Sequence, residues 1–341
     1  MSSVSWANDG GRTGDASGGR GAPGAVHSYP LLVRDHGLAT ALGLLIQTLP
    51  YAVARWAVLL ALAVACAIWL GIAFGGAAWL GTHVAAMFGV CWFVGLMLVG
   101  CWVWATVLRY LLHMIACGHV AVLTELITRG RIGDGSEGQF AYGRRIVTAR
   151  FGEVAALFGL SMLIRGVLAA VHNALDSLGQ WLPTPGVSTI VGLVNAVPAA
   201  ATRYLDKVVL SYDLARGGDD PRRNVQDGLV YYCQNAKPIL MTSIWMVVAE
   251  RALSILLWLV LLVPAGVVTM LLPDALRENG AMVTIVIAAL LAMTLRAAFI
   301  QPLFLICIMI RFHALVHEQR INATWVGYLD GLTDKFRKIG R

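Results

Sequence analysis

The sequence predicts an all-α integral membrane protein: a helical bundle with four transmembrane helices in two hairpins, six if two further apolar segments insert, and both termini cytoplasmic. Three observations predict it. Apolar residues make up 58% of the 341 residues, charged residues only 13%, about half the share of an ordinary globular chain. Mean hydropathy is +0.71. The residues Trp56 to Leu108 contain no Asp, Glu, Lys or Arg.

Residues 1–30 are rich in Gly, Ser, Asp and Arg and hold almost no large apolar side chain. Such a segment cannot bury enough surface to offset its ordering entropy, so it reads as a disordered tail and not as a signal peptide. The first hairpin occupies 31–128. A single helix over 56–108 would be about 80 Å long, against a hydrocarbon core of roughly 30 Å, so the run folds back. Gly75, Gly76, Gly81 and His83 mark the turn, with spans near 57–78 and 86–108. Trp79, Trp102 and Trp104 fall near the interfaces.

Residues 129–237 combine basic loops with two ambiguous apolar segments, 151–172 carrying Arg165 and 186–212 carrying Arg203, Asp206 and Lys207. A charge at a span centre costs roughly 2.5–3.5 kcal/mol on insertion scales, so each segment is either a span with partnered charges or an interfacial helix. The second hairpin fills 238–312: residues 252–273 are uncharged, a polar turn follows at Asp274–Glu278, and 279–295 leads to Arg296. A basic cytoplasmic tail, 313–341, closes the chain.

Lys and Arg number four over 1–55, 14 over 109–251 and seven over 296–341, against none in the first turn and one in the second. The positive-inside rule therefore places both ends in the cytoplasm of a plasma membrane of the bacterial inner type. The sequon Asn322-Ala323-Thr324 then faces the cytosol. Basic residues beside apolar helices suit anionic headgroups, so membrane lipids are the expected partners; no folded basic domain suggests nucleic acid.

Chemistry-bearing motifs are sparse. Six scattered cysteines form no CxxC pair and point to neither a disulfide framework nor a zinc ribbon. Residues 133–138 match G-x-G-x-x-G, but Asp134 and Glu137 would repel a pyrophosphate and a helix precedes the motif, so it reads as a loop. His313 and His317 share a helix face at i, i+4 without an obvious third ligand. No nucleophile–base pair is apparent. The expectation is therefore no enzyme, no catalytic residue, no metal and no cofactor. Gly71 and Gly75 form a G-x-x-x-G groove suited to helix packing, within the chain or in a homo-oligomer.

Glu250 and Arg251 in one long helix, and Arg296 in the next, are the most functional-looking residues. Counted from a turn near Leu276, Glu250 and Arg296 lie six residues out of register, about 9 Å, which two long side chains can span. An intramembrane carboxylate suggests a substrate or ion path. Trp245, five residues before Glu250, would add an aromatic face for a cationic solute. With Arg165 and Asp206 these residues form the candidate pathway or ion-pair set. The competing reading ends the spans at Ala252 and Leu295 and leaves the charges at the membrane edge.

From Gly138 onward the order of elements resembles the C-terminal half of choline-transporter-like membrane proteins. Phe151–Val171 stands where that family has an apolar helix, and Arg203-Tyr204-Leu205-Asp206-Lys207 where it has a charged one. Arg223-Asn224 through Gln234-Asn235 resembles its loop, and Trp245–Val268 with Val283–Ile310 its terminal hairpin. Where the family closes on an acidic run, this chain reads Arg311-Phe312-His313. The resemblance implies transport of a small polar or cationic solute and carries over no binding residue. The alternative function is a non-catalytic membrane scaffold or lipid-organising protein.

Overall fold

A computed structural model describes residues 29–133, 135–151, 204, 206–218 and 220–332. The helices are α1 (Leu38–Gln47), α2 (Leu49–His83), α3 (Ala86–Val103), α4 (Arg109–Arg129), α5 (Gln139–Phe151), α6 (206–216), α7 (Pro221–Gln234), α8 (Ala236–Leu271), α9 (Asp274–Leu295), α10 (Gln301–Val316) and α11 (Ala323–Leu332). Four long apolar helices of membrane-crossing length are present, as the composition requires. Residues 1–28 of the Gly/Ser-rich tail, Arg165 with 152–172, most of 186–212 and the basic end beyond Leu332 lie outside the described residues; Tyr29, at the end of the stretch expected to be a disordered tail, is instead buried at 5% exposure and bonded to His313.

The chain builds the same plan twice. In the first copy α2 has 35 residues, and α3, a five-residue π turn (Trp104–Leu108) and α4 run on as 44 residues. In the second α8 has 36, and α9, a π turn (Arg296–Ile300) and α10 follow end to end with 22, 5 and 16. A short helix precedes each hairpin, broken from the long one at Thr48 and at Asn235. Each break is stitched to the loop that follows its own hairpin. Gln139 Nε2 donates to the Gln47 carbonyl at 2.8 Å and Tyr51 Oη to the Gln139 carbonyl at 3.3 Å. In the second copy Gln234 Nε2 donates to the Arg320 carbonyl at 2.9 Å and Tyr231 Oη to the Gln319 carbonyl at 2.7 Å.

The turns are tighter than the glycines suggest. Helix α2 runs through Gly75, Gly76 and Gly81 to His83, leaving Val84–Ala85 to reverse the chain. In lipid every backbone polar group needs an internal partner, so the helix continues where a glycine in water would invite a break. The second reversal is Leu272–Pro273, not Asp274–Glu278. Asp274 already opens α9 and pairs with Arg277 one turn on at 2.7 Å.

Burial divides the molecule into two zones. Over 56–108 and 251–287 most large apolar side chains are exposed, among them Phe74, Trp79, Leu98, Ile255 and Val263. This is the surface that faces lipid. The other ends of the same helices enter a packed body: 116–127 of α4, 208–212 of α6, 229–233 of α7 and 304–312 of α10 supply its core, with Tyr212, Tyr231, Phe304 and Phe312 its largest fully buried side chains. Local chemistry fixes the pieces around it. Asp220 caps α7 by accepting from the Arg223 N–H at 3.1 Å, and Gly130 ends α4 in the left-handed region at φ 74°.

Inside the first hairpin, glycines other than Gly71 and Gly75 make the close approaches. Trp69 Nε1 donates to the Leu96 carbonyl and Trp92 Nε1 to the Ile72 carbonyl, each at 3.3 Å. Their rings lie over Gly100 and Gly76, where an added Cβ would come within 3.0 and 2.4 Å of an indole nitrogen. At Gly89 a Cβ would sit 2.5 Å from the Ala77 carbonyl. A Cβ at Gly71 or Gly75 would meet nothing within 4 Å, so that groove faces outward and does not pack the hairpin.

Candidate functional site

Two of the three charged residues singled out in the second hairpin, Glu250 and Arg296, meet. Arg296 Nη2 donates to Glu250 Oε1 at 2.8 Å, and Tyr204 Oη donates to Glu250 Oε2 at 3.3 Å. The turn position explains the register. Glu250 lies 22 residues before Leu272 and Arg296 lies 23 after Pro273, so the six-residue offset counted from Leu276 shrinks to about one. Glu250 is 3% exposed, and it belongs to the packed body.

The pair also lies at the boundary between the zones. At 1.5 Å per residue, 22 to 23 residues is roughly 33–35 Å from the turn, just past a hydrocarbon core of about 30 Å. The two side chains are thus paired, and they stand at the end of the apolar run counted from the turn. The π turn that starts at Arg296 marks the same level, where α9 leaves the lipid-facing zone and α10 enters the core; π turns often accompany functional positions.

Arg251 and Trp245 do not join the pair. Arg251 is exposed and Trp245, 76% exposed, faces outward, so neither shares the enclosed face of Glu250. Asp206 is 2% exposed and meets its neighbour Lys207 at 3.5 Å. The described part of its segment, 206–212, is packed in the core as the start of α6, which runs on to 216.

Arg55 stands at the border of the uncharged run that begins at Trp56, where nothing in the sequence distinguishes it from a flanking charge. It lies within electrostatic reach of Tyr204 and of His119. Helix α2 packs on the π turn that holds Arg296. The two copies of the plan therefore meet around Tyr204, with Arg55 on one side and the Glu250–Arg296 pair on the other.

A second buried polar chain runs through the core. His313 shares a 2.8 Å hydrogen bond with Tyr29 Oη through Nδ1 and another of 2.8 Å with Ser211 Oγ through Nε2. Ser211 Oγ in turn lies 2.7 Å from Thr124 Oγ1, which donates to the Val120 carbonyl. Both imidazole nitrogens are thus occupied, and His317 is directed to Glu318 at 3.6 Å. Among the described residues no three His, Cys, Asp or Glu side chains gather as a metal set. A buried histidine of the first copy, His119, binds Thr48 Oγ1 at 3.0 Å and stacks on Tyr51. Neither chain was visible from spacing, because its members come from segments up to 284 residues apart.

Two further sites are structural. Glu137 of the G-x-G-x-x-G loop clasps Arg145 of α5 through both oxygens, at 2.6 to 3.1 Å, and α4 precedes it. Asn224 Nδ2 donates to Asp213 Oδ1 at 2.8 Å and to the Gly217 carbonyl at 2.7 Å, closing the end of α6 on α7. Burial pushes the neighbouring Asp227 carboxyl up, and Arg216, paired with it, pulls the other way.

Fold and site define a class: an all-helical, multi-pass membrane protein whose charged residues collect where its spans enter a packed helical body. No family model matches the chain, and neither a curated protein nor a solved structure matches it.

Proposed function

We propose that the protein is a non-catalytic membrane scaffold, in which two hairpins anchor a helical body at one face of the bilayer and organise lipids around it. One observation carries this reading. Among the described spans the lipid zone has no polar lining from one face to the other: hydroxyls such as Thr106 and Ser254 donate to carbonyls of their own helices, and Thr269 meets Thr284 across the second hairpin at 2.7 Å. The Glu250–Arg296 charges meet each other at one end. The outward Gly71/Gly75 groove and the exposed apolar belt offer contact area to lipid or to a second copy.

A transport reading draws on the repeated plan. Parallel repeats build many transporters, with the solute site at the interface between them. Here that interface holds Arg55, Tyr204, Glu250 and Arg296, but at the membrane edge and not at its middle. Purified protein in proteoliposomes, tested with radiolabelled choline, tetraethylammonium and spermidine, separates the two. The scaffold reading expects uptake equal to protein-free vesicles. Uptake above that level, abolished by Glu250→Gln, would overturn it in favour of transport.

A further inference from the structure

We infer that the first hairpin carries a site for one anionic phospholipid, with the phosphate held at Arg55 and an acyl chain in the apolar cleft above it. The inference rests on the membrane reading alone and stands whether or not a solute is carried.

The cleft, of about 450 Å³, opens between α2 and the end of α3, and Leu62, Cys66, Trp69, Met97, Gly100 and Trp104 are among its walls. It lies in the zone where the helices expose apolar side chains, so its natural filler is hydrocarbon. Two features shape it. Trp69 folds closely onto Gly100, and the π turn at Trp104–Leu108 stands where α3 becomes α4.

The cation sits in line with the cleft. Arg55, Leu62, Cys66 and Trp69 stand at i, i+7, i+11 and i+14 on α2, one face of a helix. Arg55 is therefore about 10 Å below the mouth lined by Leu62. Its depth fits a headgroup. From the turn at Val84 it is 29 residues, roughly 43 Å, against about 40–45 Å for a bilayer with both headgroup layers. Trp79, exposed and stacked on His83, marks the opposite interface.

Charge decides the occupant. Arg296 is engaged by Glu250, whereas Arg55 makes no hydrogen bond or ion pair among the described residues. Of the described groups that act on it, Tyr204 and His119, neither is anionic in its ordinary form. A guanidinium at headgroup depth that pairs with no carboxylate among the described residues seeks phosphate, which its planar fork binds through two parallel hydrogen bonds. A free phosphate would satisfy Arg55 but leave the cleft unfilled; an anionic phospholipid satisfies both.

Native mass spectrometry on delipidated full-length protein tests this with three probes: dioleoylphosphatidylglycerol, dioleoylphosphatidylcholine and inorganic phosphate. The expected result is one retained phosphatidylglycerol in preference to phosphatidylcholine. Arg55→Gln should weaken it about fivefold, the equivalent of one basic residue at an anionic surface. Arg55→Lys, which keeps the charge but loses the fork, should bind between wild type and Arg55→Gln, and Ala65→Phe, which fills the cleft, should weaken it at unchanged melting temperature. Equal retention of the two lipids, or full binding by Arg55→Gln, would overturn the site. Phosphate bound as tightly as the lipid, with Ala65→Phe harmless, would make it a small-anion site and overturn the lipid assignment.

Discussion

Removing either partner of the Glu250–Arg296 pair should destabilise the protein, and the two removals should be unequal. The Glu250 side chain is 5% exposed and the Arg296 side chain 26%, with 2.8 Å between them. Arg296→Gln takes the guanidinium away from an enclosed carboxylate, and breaking a buried ion pair by removing one partner costs about 3–5 kcal/mol. Glu250→Gln leaves a guanidinium that is a quarter exposed and long enough to reach water. Its cost should fall to about 1–2 kcal/mol, nearer a lost charged hydrogen bond. The double variant should recover most of the larger loss, giving a coupling of about 2 kcal/mol or more. Reversible unfolding in mixed micelles, followed by circular dichroism for the four proteins of the cycle, measures it. Equal single losses with a coupling of about 0–1 kcal/mol, as for exposed pairs, would refute the enclosure of Glu250.

Three further outcomes follow from the structure. Gly89→Ala should destabilise the first hairpin by about 1–3 kcal/mol, since its Cβ meets the Ala77 carbonyl, whereas Gly71→Ala should be neutral or stabilising by up to about 1 kcal/mol; unfolding midpoints compare them. Thr82→Cys, with the native cysteines replaced, should be labelled by a membrane-impermeant maleimide in intact cells, and labelling only after lysis would reverse the orientation. Asp35 is held below the ordinary carboxylate range of 3.8 by the Thr40 hydroxyl and the Gly37 N–H. The contact's contribution is therefore present above about pH 4 and lost as pH falls through the lowered value, so hydrogen exchange at the start of α1 should quicken in acid and Asp35→Asn should be insensitive to it.

The membrane class, the two hairpins and the meeting of Glu250 with Arg296 were legible because hydropathy and length are one-dimensional properties. A 53-residue uncharged run must fold back wherever its turn falls. Turn positions were less legible, since Gly75, Gly76 and Gly81 carry a soluble-protein signal that lipid overrides. Gly71 and Gly75 had the spacing of a packing groove, but which face of α2 meets α3 is decided by where Trp69 and Trp92 lie. The repeated plan is carried by helix lengths and by Gln139 and Gln319, and the residues of the two copies do not match in order. The buried chain from Tyr29 through His313 to Thr124 depends on contacts between distant segments, and no local period announces it.

Collision accessibility of spin labels placed singly from Trp245 to Met270 tests the central claim most directly: apolar hairpins in lipid that lead into a packed body at one face. The account predicts that labels at exposed positions from Leu253 to Val268 meet oxygen and exclude a water-soluble nickel chelate. A label at Trp245 should meet the chelate, and one at the buried Met246 should meet neither. Chelate access along one continuous helical face from Arg251 to Met270 would reveal a water-filled path and contradict the account.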